Sequence, residues 1–158
     1  MNTKILVATA ATLAATLSAG AARATDDPPP PVVSTLIARG TATELHIRDR
    51  SMGLTITARQ PTDVALVKAA IIPGGQTGWH MHPGPSIVVV QAGTVTMRAP
   101  HRRHCMDQQF AAGDVFEHPS GVHNFIAGSD GVEFYVSYVV PAGSTPLLNP
   151  ASPPAECP

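Results

Sequence analysis

From Val32 onward this 158-residue sequence predicts a single all-β domain of sandwich or barrel form, and three observations lead there. Apolar and polar residues alternate along many short stretches rich in Val, Ile and Thr, the pattern of half-buried strands. Glycine and proline interrupt these stretches at intervals of about ten residues, as in a chain that turns after each strand. Beyond the N-terminal segment no helical period is sustained.

The N-terminus stands apart from that domain. Met1-Asn2-Thr3-Lys4 carries one positive charge, an apolar run extends from Ile5 to Leu17, and Ala22-Arg23-Ala24 has the small-x-small form of a signal-peptidase site. An export signal over residues 1–24 is therefore expected, with a periplasmic or secreted mature protein. The competing reading is an uncleaved anchor, but the run falls short of the roughly 20 residues that span a bilayer. No membrane association is expected after cleavage. Removing residues 1–24 takes away Lys4 and Arg23 and no acid, which moves the formal net charge from −1 to −3 and leaves 134 residues. That length suits one domain with a real core. The mild negative charge offers no basic footprint for nucleic acid.

Along the mature chain, the four consecutive prolines Pro28 to Pro31 cannot donate backbone hydrogen bonds, so residues 25–31 read as an extended linker. The β domain occupies residues 32–140. Strands are predicted over Ser34–Arg39, Glu44–Arg48, Leu54–Ala58 and Val64–Ile72, with turns at Asp49–Gly53 and Gln60–Asp63. The run Ser86 to Gln91 contains four successive β-branched residues and predicts a strand buried on both faces. Ala92-Gly93 then reads as a hairpin turn into Thr94–Arg98. Ala99 to Gln109 is polar, with His101, Arg102, Arg103 and His104 close together, and reads as a solvated loop in preference to an anion or second metal site. Phe110–His118 resumes strand character. Gly128-Ser129-Asp130-Gly131 reads as a hairpin turn before the strand Val132–Val140. Residues 141–158 are expected to form an irregular tail.

Cys105 and Cys157 are the two cysteines, and an even count in an exported chain favours a disulfide between them, with two free thiols as the alternative. The stretch richest in chemistry is Gly74-Gly75-Gln76-Thr77-Gly78-Trp79-His80-Met81-His82-Pro83. On an extended chain His80 and His82 share a face, while Trp79 and Met81 take the other as packing residues. Two imidazoles on one face supply part of a transition-metal site, or else pair within a polar pocket.

Taken in order, Gly74, His80-x-His82, Gly93, Gly113, Pro119-x-Gly121 and His123 resemble the two motifs of the cupin superfamily. In the first motif a Glu follows the His pair, and Ser86 stands at that place here. In the second, His123 comes one residue sooner after Gly121 than the family pattern has it. A shift of one residue would flip its face in a continuous strand unless the Pro119–Gly121 turn absorbed it. More narrowly, Thr77–Pro85 with the exported N-terminus and the Cys105 region is similar to small secreted bacterial single-domain cupins.

The resemblance implies a small jelly-roll β-barrel with a divalent transition metal, Fe, Mn, Ni or Zn, held by His80, His82 and His123. Ser86 or Glu117 would stand at the fourth position, and His118 is a further candidate there. Three neutral imidazoles would leave such an ion its full +2, which suits Lewis-acid or oxygenase chemistry on a small, preferably anionic molecule. Two functions follow: a metal-dependent oxygenase or isomerase, or a non-enzymatic module that binds a metal or small ligand for sensing or delivery. No catalytic residue is assigned. One of Tyr135 and Tyr138, on opposite strand faces, is expected to approach the pocket, and a homodimer is compatible with the resemblance.

Overall fold

The computed structural model describes residues 31–157, so the expected signal segment and all of the linker except Pro31 lie outside the described residues. The strands are β1 (Val32–Ala42), β2 (Leu45–Asp49), β3 (Leu54–Ala58), β4 (Thr62–Ile71), β5 (His80–Met81), β6 (Ser86–His101), β7 (His104–Ala111), β8 (Val115–His118), β9 (Asn124–Pro141) and β10 (Asn149–Pro150). Every ladder is antiparallel. The main sheet has the order β1-β4-β9-β6-β7, with β8 also paired to β6, while β2 pairs only with β3 and β10 with β5.

The two long strands β6 and β9 hold the fold together because each serves two sets of neighbours. Near Ser86 to Val90, β6 pairs with β8 on one side and with Phe134 to Tyr138 of β9 on the other. Farther on, Thr94 to His101 pairs with β7, and Val95 to Arg98 with Asn124 to Ala127. Between the halves the register shifts twice, at Val90/Ala92 and Gly93/Val95. Such bulges bend a strand. The alternating inner residues Ala65, Val67, Ala69, Ile71 (β4), Val88, Val90, Val95, Met97 (β6) and Phe125, Phe134, Val136, Val140 (β9) are all buried in one core. Each large side chain among them contributes about 1.5–3 kcal/mol by leaving water. This is an all-β jelly roll, the fold class expected from the sequence.

Several local expectations change. Ala92-Gly93 and Gly128–Gly131 are not hairpin turns but bends inside continuous strands, where Gly93 (φ 74°) and Gly131 (φ 77°) adopt backbone that other residues disfavour. A Cβ on Gly93 would collide with the Gly131 carbonyl. Local sequence shows that the chain bends there, not whether its ladder continues. The run Ser86–Gln91 is buried on one face only: Val88 and Val90 point into the core, while Ile87 and Val89 are exposed. The reason is that this part of the sheet has the core on one side. The polar stretch 99–109 forms the β6–β7 hairpin, its turn held by Arg102 at φ 57°. His101 and His104 face each other across its end, and both are exposed.

Thr62 and Asp63, expected in a turn, open β4 instead, and both are buried. The Asp63 carboxylate accepts hydrogen bonds from Thr41 Oγ1, the Gly143 N–H and Arg39, whose Nη2 also donates to the Ser144 carbonyl at 2.8 Å. One acid thus joins β1, β4 and the start of the C-terminal segment. The Thr41 hydroxyl, then the Gly143 N–H, then Arg39 hold its carboxyl down at about 2, from an ordinary 3.8. A carboxyl lowered on folding contributes stability that is present above its unfolded value and disappears as pH falls through the folded one. Asp63→Asn should therefore flatten the loss of stability between about pH 4 and 2 in an acid-unfolding series, relative to the parent. At the bend, Gly93→Ala should cost more than about 2 kcal/mol in denaturant unfolding, whereas Gly113→Ala, facing open space, should cost about 1 kcal/mol.

Candidate metal centre

The loop Gly74–Gly78 delivers the His-x-His pair onto the edge of β9. Gly74 N–H bonds to the Gly128 carbonyl, Thr77 N–H to Phe125 O, and Ala127 N–H to Gly75 O. Side chains fasten the same seam: Asn124 Nδ2 donates to Gln76 Oε1 at 2.8 Å, and Thr77 Oγ1 accepts from the Phe125 N–H at 3.0 Å. The seam ends in a reciprocal pair, His80 N–H to His123 O and His123 N–H to His80 O, both 2.9 Å. Residues so paired present their side chains to the same face. The early arrival of His123 is absorbed by the Pro119–Gly121 turn, because β9 begins only at Asn124.

The three imidazoles meet inside the fold, with His80, His82 and His123 only 2 %, 5 % and 0 % exposed. One ligand atom from each lies within 4.8 Å of the others. In every ring Nδ1 is committed to a backbone carbonyl: His80 to Gly78 at 2.9 Å, His82 to Leu147 at 2.6 Å, His123 to Gly121 at 3.1 Å. A carbonyl can only accept, so each Nδ1 carries the proton and each Nε2 keeps its lone pair. His123 Nε2 is buried with no partner. Burial, foremost, pushes His80 down to about 4 and His123 down to about 2, and lowers His82 as well. Neutral rings, fixed tautomers and unshared Nε2 atoms fit a divalent transition metal.

Around the triad the expected residues divide. Tyr138 is the tyrosine that reaches the pocket, its ring 4.8 Å from that of His82, and burial raises its hydroxyl to about 12. Ser86 is buried on the inner face of β6. Glu117 lies on the outward face of β8 and is exposed, because β8 alternates and its inward neighbour is His118. Met81, expected to pack, is exposed, and Trp79 is half-buried. A cavity of about 370 Å³ lies against Ser86 and His118, with Ile56, Ile87, Pro119 and Val139 among its walls.

The C-terminal segment, expected to be irregular, carries β10 and closes over the His-x-His strand. Asn149 and Pro150 pair with Met81 and His80, the Ala151 N–H bonds to Trp79 O at 2.9 Å, and Leu147 supplies the carbonyl for His82. The Cys105–Cys157 disulfide ties its end to β7. The sequence contained no pattern that would single out Leu147 or Thr77, since a backbone carbonyl and a loop hydroxyl act here through position alone.

No protein-family model and no curated protein sequence matches the chain. Solved structures do. Two variants of oxalate decarboxylase from Bacillus subtilis are 20 % and 18 % identical over 57 % of this chain, each with a TM-score of 0.51. The chain spans about a quarter of their length, 24 %. A cupin superfamily protein from Desulfitobacterium hafniense is 14 % identical over 69 % of this chain and 77 % of its own, with a TM-score of 0.47. At such identities the likeness is one of fold. The chain has a cupin-type fold, and its three buried histidines bring ligand atoms close enough together to hold a metal ion.

Because the disulfide joins residues 52 apart, its removal by Cys157→Ser should lower stability by about 4 kcal/mol in denaturant unfolding. The same variant should speed hydrogen exchange at the Ala151 amide, which the tail's closure protects.

Proposed function

We propose that this protein is an exported single-domain cupin that binds one divalent transition metal through His80, His82 and His123 and acts on a small organic molecule as an oxygenase or isomerase. The observation that carries the metal reading is the shared arrangement of the three rings, each with Nδ1–H held by a backbone carbonyl and each offering one ligand atom within 4.8 Å of the others. A divalent ion bound there supplies Lewis acidity and open positions for a small molecule. The chain contributes the rest: it holds the ligands neutral, fixes their tautomers and keeps water away from them by burial.

The ligand triad is uncharged, so the site favours anions, and small carboxylic acids are the first compounds to try. Oxalate belongs in that panel because it is named for the structural neighbours. Export is supported by the N-terminal segment and by the disulfide. The second reading, a non-enzymatic binding module, is favoured by the near-complete burial of the triad under a tail fastened by that disulfide.

Elemental analysis of the protein from its native compartment should find close to one metal ion per chain, and His80→Ala, His82→Ala together should abolish it. Chelation should lower the melting temperature of the parent and leave the double variant unmoved. Metal-free protein in both cases, with equal melting temperatures, would sink the metal reading. Metal-dependent turnover of a panel compound would select the enzyme over the binding module.

A further inference from the structure

We infer that His118 is a fourth nitrogen ligand of this centre, an inference that rests on the metal reading above. Within the sheet, His118 of β8 stands directly opposite Ser86 of β6, which in turn stands opposite Tyr138 of β9. Residues opposite one another in a ladder share a face, with Cβ atoms about 5 Å apart. Hence the short Ser86 side chain leaves space on the inner face, and the neighbouring strand brings an imidazole to it. His118 is 4 % exposed and its ring lies 3.6 Å, centroid to centroid, from that of His123.

The hydrogen bonding of His118 differs from that of the triad. Where the other three rings give Nδ1–H to a backbone carbonyl, His118 Nδ1 is buried without a partner. A buried polar atom left so costs about 1–3 kcal/mol unless something absent from the protein itself satisfies it. The His118 ring centre is 3.6 Å from that of His123 and 6.5 Å from that of His82, and the pairs within the triad are 4.9, 4.2 and 5.1 Å apart. His118 stands outside the 4.8 Å cluster of the three, so its ring must turn to bind, and no hydrogen bond at Nδ1 opposes the turn.

Glu117 cannot take this role from the outward face of β8. The consequence is a site of four neutral nitrogens, which favours zinc, nickel, copper or iron over the oxygen-preferring manganese. It also removes one open position from the substrate.

The test uses the mature, disulfide-intact protein loaded with Cu(II). Pulsed electron paramagnetic resonance counts the coordinated imidazoles, and competition with a chelator gives the affinity. The parent should show four imidazoles. His118→Phe, which keeps a ring against His123 but has no nitrogen, should show three and bind at least tenfold more weakly, as should His118→Gln, with both variants melting near the metal-free parent. A parent with three imidazoles, and a His118→Phe variant of unchanged affinity and spectrum, would overturn the role of His118 while leaving the triad intact. Absence of Cu(II) binding by the parent would instead overturn the metal reading, and this inference with it.

Discussion

The reciprocal backbone pair between His80 and His123 is the contact on which the site depends. Two hydrogen bonds of 2.9 Å bring together residues 43 positions apart and fix them on one face of the seam. Once that pair forms, His82 follows two residues along the same face, and all three rings converge without any long side chain having to search for its place. The loop Gly74–Gly78 and the Thr77–Asn124–Gln76 bonds make the pair dependent on β9, so the site inherits its rigidity from the strand at the centre of the fold.

Packing and polarity cooperate here in an uncommon way. A cluster of buried imidazoles with no acid among them is unfavourable to ionise, which is why burial dominates the downward shifts of His80, His118 and His123. The same burial that keeps the rings neutral keeps them nucleophilic toward a soft or borderline cation. The carbonyls of Gly78, Gly121 and Leu147 complete the arrangement. Two come from turns beside the histidine they hold, and the third comes from the far end of the chain.

That third carbonyl gives the C-terminal segment its meaning. Its composition, rich in proline and small polar residues, gives little reason to expect regular structure, and most of it is irregular. Yet β10, the Ala151–Trp79 bond and the disulfide draw it across the His-x-His strand. The tail is held by a few fixed points and by Leu147, which packs against the core. Asp63 anchors its start and Cys157 its end.

Much of this was legible in the sequence. Alternation and punctuation determined the all-β class and located β2, β3, β4 and the end of β9, because the period of two is a local property that solvent and core impose on every strand. The alternation of His80 and His82 on one strand face was local, His123 joined them only through the resemblance to the cupin motifs, and the even cysteine count carried the pairing of Cys105 with Cys157. Tertiary structure alone decided which turn signals were bends, since Gly93 and Gly131 look the same to their neighbours whether a ladder stops or continues through them. It also decided that Ile87 and Val89 face outward, that Leu147 reaches His82, and that His118 lies opposite Ser86. Each of these depends on which strands become neighbours, and neighbours distant in the chain leave no periodic mark on the segments they join.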